Sequence, residues 1–531
     1  MAIKVGGTTV INDSRQLSNI TSVDATTVAA LGTAGVGGGG TAELTAASTL
    51  TAGQAVIINT SGQAAGITKT IGSVSSVGSS QFQLPYGGSD IIANAAAYDS
   101  INKKIIALAR NSNGWVQWWH GNVVTDTGSE AVASQGDSVY PDSSNIGASV
   151  AMTFDPDCNV NGFFLIVISD DSNNNTEMRT AYFNGNSRIS SNNVSLANRV
   201  SGNGAYALVY DTSLQAHILI SQLHSGSPVI NVITLSSSGY PTSRLQATMS
   251  NTGGNYKFPK VGTDGNGQFL AILGDAGGSA SYAYPFKVTG SIGAGFSISQ
   301  GTRQTLDSSN AINNSNKQSV KFDTHSGKFL ISYGTGTSSV KVRSATISNN
   351  SLTLNTAVTA SSLEGHNSLL EDKNAKSAII YAGGYNNATF QYRSIDVATN
   401  GNVTLGTASD LTGYNAYFSG SANFNVLSHL NNPDVSLYTV IGNGNNANDW
   451  ESSSHKLPIT SDSSKFVGFA TAGINSGASG DITVIGGVNE QQSGLTAGSK
   501  HYVNSGGAVT TDSGGTYAGV ALSATKLLVK G

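Results

Sequence analysis

The densest group of side chains able to recognise a ligand is Trp115, Trp118, Trp119 and His120, in the stretch GWVQWWHGN. Flat indole faces stack on sugar rings, so the cluster could hold a glycan. In a strand Trp118 and Trp119 point to opposite faces, so only one of them can enter a given pocket. Packing between sheets is the competing role, and Trp450 has the same two readings. Asp155, Asp157, Asn159 and Asn161 alternate ahead of Gly162. Oxygen ligands at alternate positions before a glycine are the pattern of a calcium loop. The acidic ligand that should close such a loop is missing, because FFLIV follows at residues 163–167. A turn closed by Asx hydrogen bonds explains the same residues.

Covalent or hydrolytic chemistry finds less support. Glycoside hydrolysis needs two carboxylates facing one cleft. Asp99, Asp155, Asp211, Asp264, Asp323 and Asp372 recur instead in similar turn contexts, which disperses them. The histidines lack metal-ligand spacing, and serine is too frequent for a Ser/His/Asp reading to mean anything. GVGGGG lacks the strand-to-helix setting of a phosphate loop. TTDSGGTY, residues 510–517, imitates the Asp-box turn of sialidases, itself a structural turn. No catalytic residue and no cofactor is expected, and the chain reads as a non-enzyme.

The elements that must carry these residues are short strands. SVKFDTHSGKFLISYG, residues 319–334, alternates apolar and polar positions, turns after Asp323 and continues as an apolar strand. The same pattern recurs at Asp99, Asp155, Asp211, Asp264 and Asp372, with Asn431 in the weakest, seventh copy. The successive differences are 56, 56, 53, 59, 49 and 59 residues. A third strand follows each hairpin, as in SPVINVITL and SYAYPFKVTG, and then a more polar fourth. Four strands per repeat of about 50 residues describe the blade of a β-propeller. The fold class expected is all-β: a seven-bladed propeller-like repeat domain flanked by small N- and C-terminal β modules. A β-solenoid and a row of β-sandwiches are the competing architectures. The last repeat is short, and QFQLPY, residues 81–86, could supply its outer strand.

Composition agrees with many short strands. Only 11% of the 531 residues are charged, and 64 are glycine. Residues 1–40, with a hairpin around Gly6-Gly7 and a glycine linker, read as an anchor that docks onto something else, with a disordered start as the alternative. Residues 41–90 form a small β module, 91–454 the seven repeats and 461–531 a C-terminal β module. LTAGQAVIINTSGQAAG and LTAGSKHYVNSGGAVTT, at residues 50–66 and 495–511, share one pattern. Lys526 to Lys530 is an apolar stretch between cations, a form usually tucked into a partner or a core. The net charge is −4 with no basic stripe, so no nucleic-acid partner is expected. Cys158 is alone and forms no intrachain disulfide. MAIKVGG lacks the apolar run of a signal peptide and no stretch is long enough to span a membrane, so folding in a reducing cytoplasm is expected.

The opening MAIKVGGTTVINDSRQLSNITSVD resembles the start of tail-fibre-like virion proteins of marine tailed phages, cyanophages in particular. The Tyr/Phe-Asp turn repeats are similar to those of phage fibre β-propellers. GLTAGSKHYVNSGGAVTTDSGGTYAGVALSATKLLVKG resembles a C-terminal module of phage tail and fibre proteins. The resemblance implies a virion structural protein of the tail, made in the host cytoplasm. It implies a homo-oligomer, a trimer by preference, docked by its N-terminus to tail or baseplate proteins and facing a host-surface glycan or protein. A glycan-degrading tailspike and a head decoration or adaptor protein without host contact are the alternatives. The resemblance brings no catalytic residue with it.

Overall fold

The computed structural model describes residues 3–5, 8–11, 40–71, 75–84, 91–102, 104–111, 116–122, 133–135, 146–170, 175–184, 187–196, 206–221, 227–250, 256–275, 280–308, 318–324, 326–335, 339–361, 366–372, 377–384, 387–398, 400–410, 425–428, 435–443, 450–504, 506–511 and 515–530. The chain divides into two compact units. One is continuous, residues 71–459, and the other combines residues 1–70 with 460–531.

The continuous unit is a seven-bladed β-propeller. Its sheets follow one another in the chain, each an antiparallel meander in sequence order. Blade 1 comprises Ile91–Asp99, Lys104–Asn111, Val116–Asn122 and Ala133–Gln135. Blade 2 comprises Ile146–Asp155, Phe163–Asp170, Asn175–Asn184 and Ser187–Leu196. Blade 3 comprises Tyr206–Asp211, Ala216–Ser221, Val229–Leu235 and Pro241–Thr248. Blade 4 comprises Tyr256–Thr263, Gln268–Asp275, Ser281–Ser291 and an outer strand in two pieces, Gly295–Gln300 and Gln304–Asp307. Blade 5 comprises Gln318–Asp323, Lys328–Thr335, Ser339–Ser348 and the pieces Ser351–Leu354 and Val358–Ser361. Blade 6 comprises His366–Asp372, Ser377–Gly384, Asn387–Val397 and the pieces Val403–Leu405 and Ser409–Asp410. Blade 7 comprises Asn425–Ser428, Val435–Asn443 and Trp450–Ser461.

The first strands touch in succession from blade 1 to blade 7, and the first strand of blade 7 touches that of blade 1. That closes the ring and rules out the solenoid and the row of sandwiches. The outer strand of blade 7 is Ser75–Leu84, from ahead of blade 1, with Phe82 opposite Ser452 and Leu84 opposite Trp450. Residues of the QFQLPY stretch therefore close the ring as the sequence suggested, and leave the last blade no bare edge.

Burial explains the strand compositions. Second and third strands are covered on both faces by neighbouring blades, so Ala216–Ser221 and Val229–Leu235 are buried throughout. Outer strands are covered on one face at most, and Gly295–Gln300 alternates exposed and half-buried positions. The core is therefore a series of apolar layers between blades. Phe269, Phe286, Ile218 and Ile230 fill the layer between blades 3 and 4. Phe329, Ile331 and Leu306 fill the next. Each fully buried side chain of this size contributes about 2–3 kcal/mol through removal from water.

The repeat aspartates fasten turns within this ring. Asp99 accepts the Ile101 and Asn102 N–H groups at 2.8 Å each. Asp211 Oδ1 accepts those of Ser213 and Leu214 at 3.1 Å, while its Oδ2 reaches the next blade and accepts Gly267 N–H at 3.0 Å. Asp323 accepts from Ser326, Oγ at 2.5 Å and N–H at 3.3 Å. These three are buried. Blade 4 departs from the pattern, because Thr263 ends its first strand and donates to Asp211, leaving Asp264 half-buried one position later. Asn431 lies outside the described residues.

The other unit contains two copies of one five-stranded sheet. The first runs in the spatial order Thr41–Thr45, Ser479–Val484, Phe466–Ala470, Ala55–Ile58, Ala64–Gly66. The second runs Val488–Asn489, Leu527–Val529, Thr516–Ala521, Lys500–Val503, Val509–Thr510. Matched turns confirm the correspondence. Asn59 Oδ1 accepts the N–H groups of Ser61 and Gln63 at 2.9 Å, and Asn504 Oδ1 accepts those of Gly506 and Ala508 at 2.9 Å. Gly62 and Gly507 then take φ of 75° and 84°, a region L side chains avoid. The two similar sequence patterns at residues 50–66 and 495–511 are thus the same hairpin.

The structure joins what the sequence separates. Residues 41–90 and 461–531 do not form two independent flanking modules: strands from both ends share the first sheet, and Ser75–Leu84 belongs to the propeller. The first copy is interrupted after Thr68, whose N–H donates to Asp462 Oδ1 at 2.7 Å, and the propeller occupies the interruption. Leu527 and Val529 are fully buried with Phe469 and Val503, so the apolar end is tucked into the core of this unit. Strands Ile3–Val5 and Thr8–Ile11 pair across Gly6-Gly7, with Val5 opposite Thr8. The remaining residues of the 1–40 segment, before Gly40, lie outside the described residues. No helix among the described residues is long and apolar enough to cross a membrane.

Candidate functional site

The sequence candidates separate once placed on the blades. Trp118, Trp119 and His120 lie on the third strand of blade 1, opposite Leu108, Ala107 and Ile106. Trp450 begins the third strand of blade 7, opposite Asn443 and Leu84. Trp115 lies outside the described residues. The tryptophans are therefore spread over two blades.

The oxygen-rich loop of blade 2 is bound into the seam with blade 3. Asp155 Oδ1 accepts Asp157 N–H at 2.9 Å, and Asn159 Oδ1 accepts Asn161 N–H at 2.8 Å, both Asx turns. Asp155 Oδ2 lies 3.3 Å from Nε2 of the buried His217. Asp157 Oδ2 accepts the Tyr210 hydroxyl at 2.7 Å, and Asn159 Nδ2 donates to Ser237 O at 3.1 Å. The side-chain oxygens of Asp155, Asp157 and Asn159 already serve the turn or the neighbouring blade. No group of three or more His, Cys, Asp or Glu side chains suited to a metal ion occurs among the described residues. Burial, and then the Asp155 charge, push the Cys158 thiol up to about 11. Burial and the bond to Asp157 raise Tyr210 as well.

The site that sequence reading missed lies between blades 3 and 4. The third strand of blade 4 contains Pro285, whose ring offers no N–H to the outer strand. The outer strand breaks there: Gln300 pairs with Phe286 and Gln304 with Ala283, leaving residues 301–303 as a bulge. Gly301 donates its N–H to Pro285 O at 2.9 Å, and a Cβ on it would fall 1.8 Å from Asn350 O, so only glycine fits. The bulge turns Arg303 back over the blade. Its guanidinium carbon sits 4.3 Å from the centre of the Tyr282 ring, a cation–π contact. Its Nη1 donates to the Tyr256 hydroxyl and, at 3.5 Å, to that of Tyr284.

Tyr256 and Tyr284 are buried in the apolar layer with Ile220, Ile230 and Met249 of blade 3, and Tyr282 is half-buried at its edge. The Tyr256 ring stands edge-on to Tyr282 at 5.6 Å and to Tyr284 at 6.2 Å. Burial raises the Tyr284 phenol above its usual range, and the hydrogen bond to that phenol raises Arg303. Both shifts keep Tyr284 a neutral phenol and Arg303 a cation near neutral pH. Among the described residues Arg303 has no carboxylate partner, and its Nε and Nη2 donors are unpaired. Two signals for the site were in the sequence, the proline in SYAYPFKV and the lone arginine in the polar segment GTRQTL.

No protein-family model matches the chain, and no curated protein does. Among solved structures, a protein from Lactobacillus plantarum matches at 12% identity over 59% of this chain and 83% of its own, with a TM-score of 0.40. An α-L-arabinofuranosidase from Fusarium graminearum matches at 11% identity over 73% and 98%, also with a TM-score of 0.40. The fucose-specific lectin of Aleuria aurantia matches at 9% identity over 74% and 99%, with a TM-score of 0.38. At these scores the likeness assigns neither a ligand nor an activity to the chain.

Proposed function

We propose that the protein is a structural and adhesive component of a virus particle, attached through its N-terminal segment and turned toward a host-surface glycan by its propeller. The observation that carries the adhesive part is Arg303 on its tyrosine platform, a cation and aromatic rings with donors left over for a ligand. Aromatic faces and a forked cation are the groups with which proteins hold sugars. The repeat aspartates that are described in full are occupied in turns, which supports a binding protein over a hydrolase. The particle assignment is supported by the opening and closing stretches and by the resemblance they carry.

Labelled full-length protein is expected to bind host cells, with binding removed by free envelope polysaccharide. Shortening of that polysaccharide on incubation would replace the adhesin with a tailspike hydrolase. Absence of binding to every cell type tried, with the protein located on particles by antibody labelling, would leave a decoration or adaptor role. Deleting residues 1–40 should prevent incorporation into particles and leave the thermal unfolding of the propeller unchanged; incorporation of the truncated protein would remove the anchor.

A further inference from the structure

We infer that Arg303, on its tyrosine platform, binds the carboxylate of an acidic saccharide. The inference rests on the glycan-attachment reading and adds the charge and the atoms involved. Three observations lead to it. First, Arg303 is half-buried and carries no acidic partner among the described residues, whereas Arg179 is paired with Glu177 at 2.8 Å. Second, Tyr282 covers one face of the guanidinium and the two phenols accept from Nη1, which fixes the plane of the group. Third, Nε and Nη2 then form the unpaired edge, two parallel N–H donors with the spacing of a carboxylate. Lysine in the same place would present a point charge without that geometry.

Tyr282 beside the charged group is half-buried, so part of an aromatic side chain is accessible next to the cation. A structural explanation, Arg303 as a bolt for the bulge, is weakened by the bulge's own bond from Gly301 to Pro285. A neutral sugar would leave the cation facing hydroxyl groups only. A sulfate ester would satisfy the charge but not the planar two-point fit, so the carboxylate is the assignment.

The test uses the full-length protein on an array of uronate-, sialate- and sulfate-bearing oligosaccharides beside their methyl-esterified or desulfated counterparts. Wild type is expected to prefer carboxylate-bearing saccharides over their methyl esters by roughly tenfold or more, the scale of one charge-assisted bidentate pair. Arg303→Gln should remove the preference, and Arg303→Lys should reduce it despite keeping the charge. Lys287→Gln, which removes an exposed cation of the same blade, should leave it unchanged. Thermal unfolding of each variant checks the fold, and Arg303→Lys keeps the test valid if Arg303→Gln does not fold. Equal binding to acids and esters, or a preference that survives in Arg303→Gln, overturns the inference. So does a preference for sulfated ligands alone. Binding confined to neutral saccharides would sink this inference and spare the attachment reading. No binding to the array or to cells would end both.

Discussion

Blades 4 and 5 solve the same structural problem with opposite placements of an arginine. Both break their outer strand in the middle, and in both an N–H at the break donates to the third strand: Gly301 to Pro285 O at 2.9 Å and Asn355 to Ser344 O at 3.0 Å. In blade 5 the arginine is on the third strand. Arg343 donates from Nε at 2.8 Å and Nη2 at 2.5 Å to Asn355 O, and from Nη1 at 3.4 Å to Leu306 O of blade 4. Blade 6 repeats the arrangement, with Arg393 reaching Gly406 O at 3.3 Å. In blade 4 the third strand has Tyr284 next to Pro285, and the arginine is on the bulge. Arg343 is consumed by backbone carbonyls; Arg303 stands on aromatic rings with its Nε and Nη2 donors unused. The same residue type in equivalent breaks is a fastener in one blade and, on the function proposed above, a recognition group in the other, and the difference lies in which strand carries it.

Substitutions should separate the two roles. Arg343→Gln is expected to have the largest effect on stability, about 2–4 kcal/mol, because it leaves two partly buried carbonyls without their charged donor. Chemical denaturation of the full chain would measure it, with carboxylate preference on the array unaltered. A loss below about 0.5 kcal/mol would remove the distinction between fastener and ligand group.

Lys260, in the first strand of blade 4, sharpens the comparison as a half-buried cation with no acidic partner among the described residues. Burial, and then the Lys321 ammonium, hold it down at about 8 against an ordinary 10.5. Between those two values the unfolded chain binds a proton that the folded chain has released. Stability therefore rises with pH across that window, and the penalty is fully present below about pH 8. Lys260→Met should add on the order of 1–2 kcal/mol at pH 7, a figure reduced for its partial exposure, with the gain fading toward pH 11. Melting curves at pH 7, 9 and 11 give the slope; a gain that does not vary with pH would contradict the assignment.

A smaller change in stability is expected for Arg303→Gln, below about 1 kcal/mol, since the half-buried guanidinium has no acidic partner among the described residues and the bulge keeps its own bond from Gly301 to Pro285. A loss as large as that for Arg343→Gln would make Arg303 a fastener as well. The smallest effect belongs to Cys158. Its Sγ donates to Ser236 O at 2.8 Å, and its thiol is held near 11. Alkylation of the folded protein by iodoacetamide at pH 8 should be far slower than that of an unhindered thiol, accelerating as the pH nears 11. Rapid modification at pH 8 would show that groups in the seam between blades are not committed as Arg343 is.

The ring was readable from recurring hairpins because each blade must cover two faces with apolar second and third strands and turn after a short first strand. The spacing of Asp99, Asp155 and Asp211 marks that requirement directly, since a buried carboxylate is tolerated only where it closes a turn. Blade 4 shows the limit: Thr263 ends the first strand and donates to Asp211, and Asp264 closes the turn one position later, a one-residue shift that composition does not reveal. The Arg303 site was less legible. Tyr256 and Arg303 are 47 residues apart, so Pro285 and the arginine in GTRQTL mark the site locally without showing that the two side chains meet.

The sequence by itself determined the local alternation of apolar and polar residues, the turns at Asp and Gly, and the number of repeats, because strand period and turn geometry act over a few residues. Tertiary structure alone decided two things: that residues 41–66 pair with strands near residues 466–484, and that a bulge sets Arg303 on three tyrosines. Each depends on which surfaces meet after the ring closes. The energy of such contacts comes from burial and hydrogen bonds between segments far apart in the chain, which no short window of residues contains.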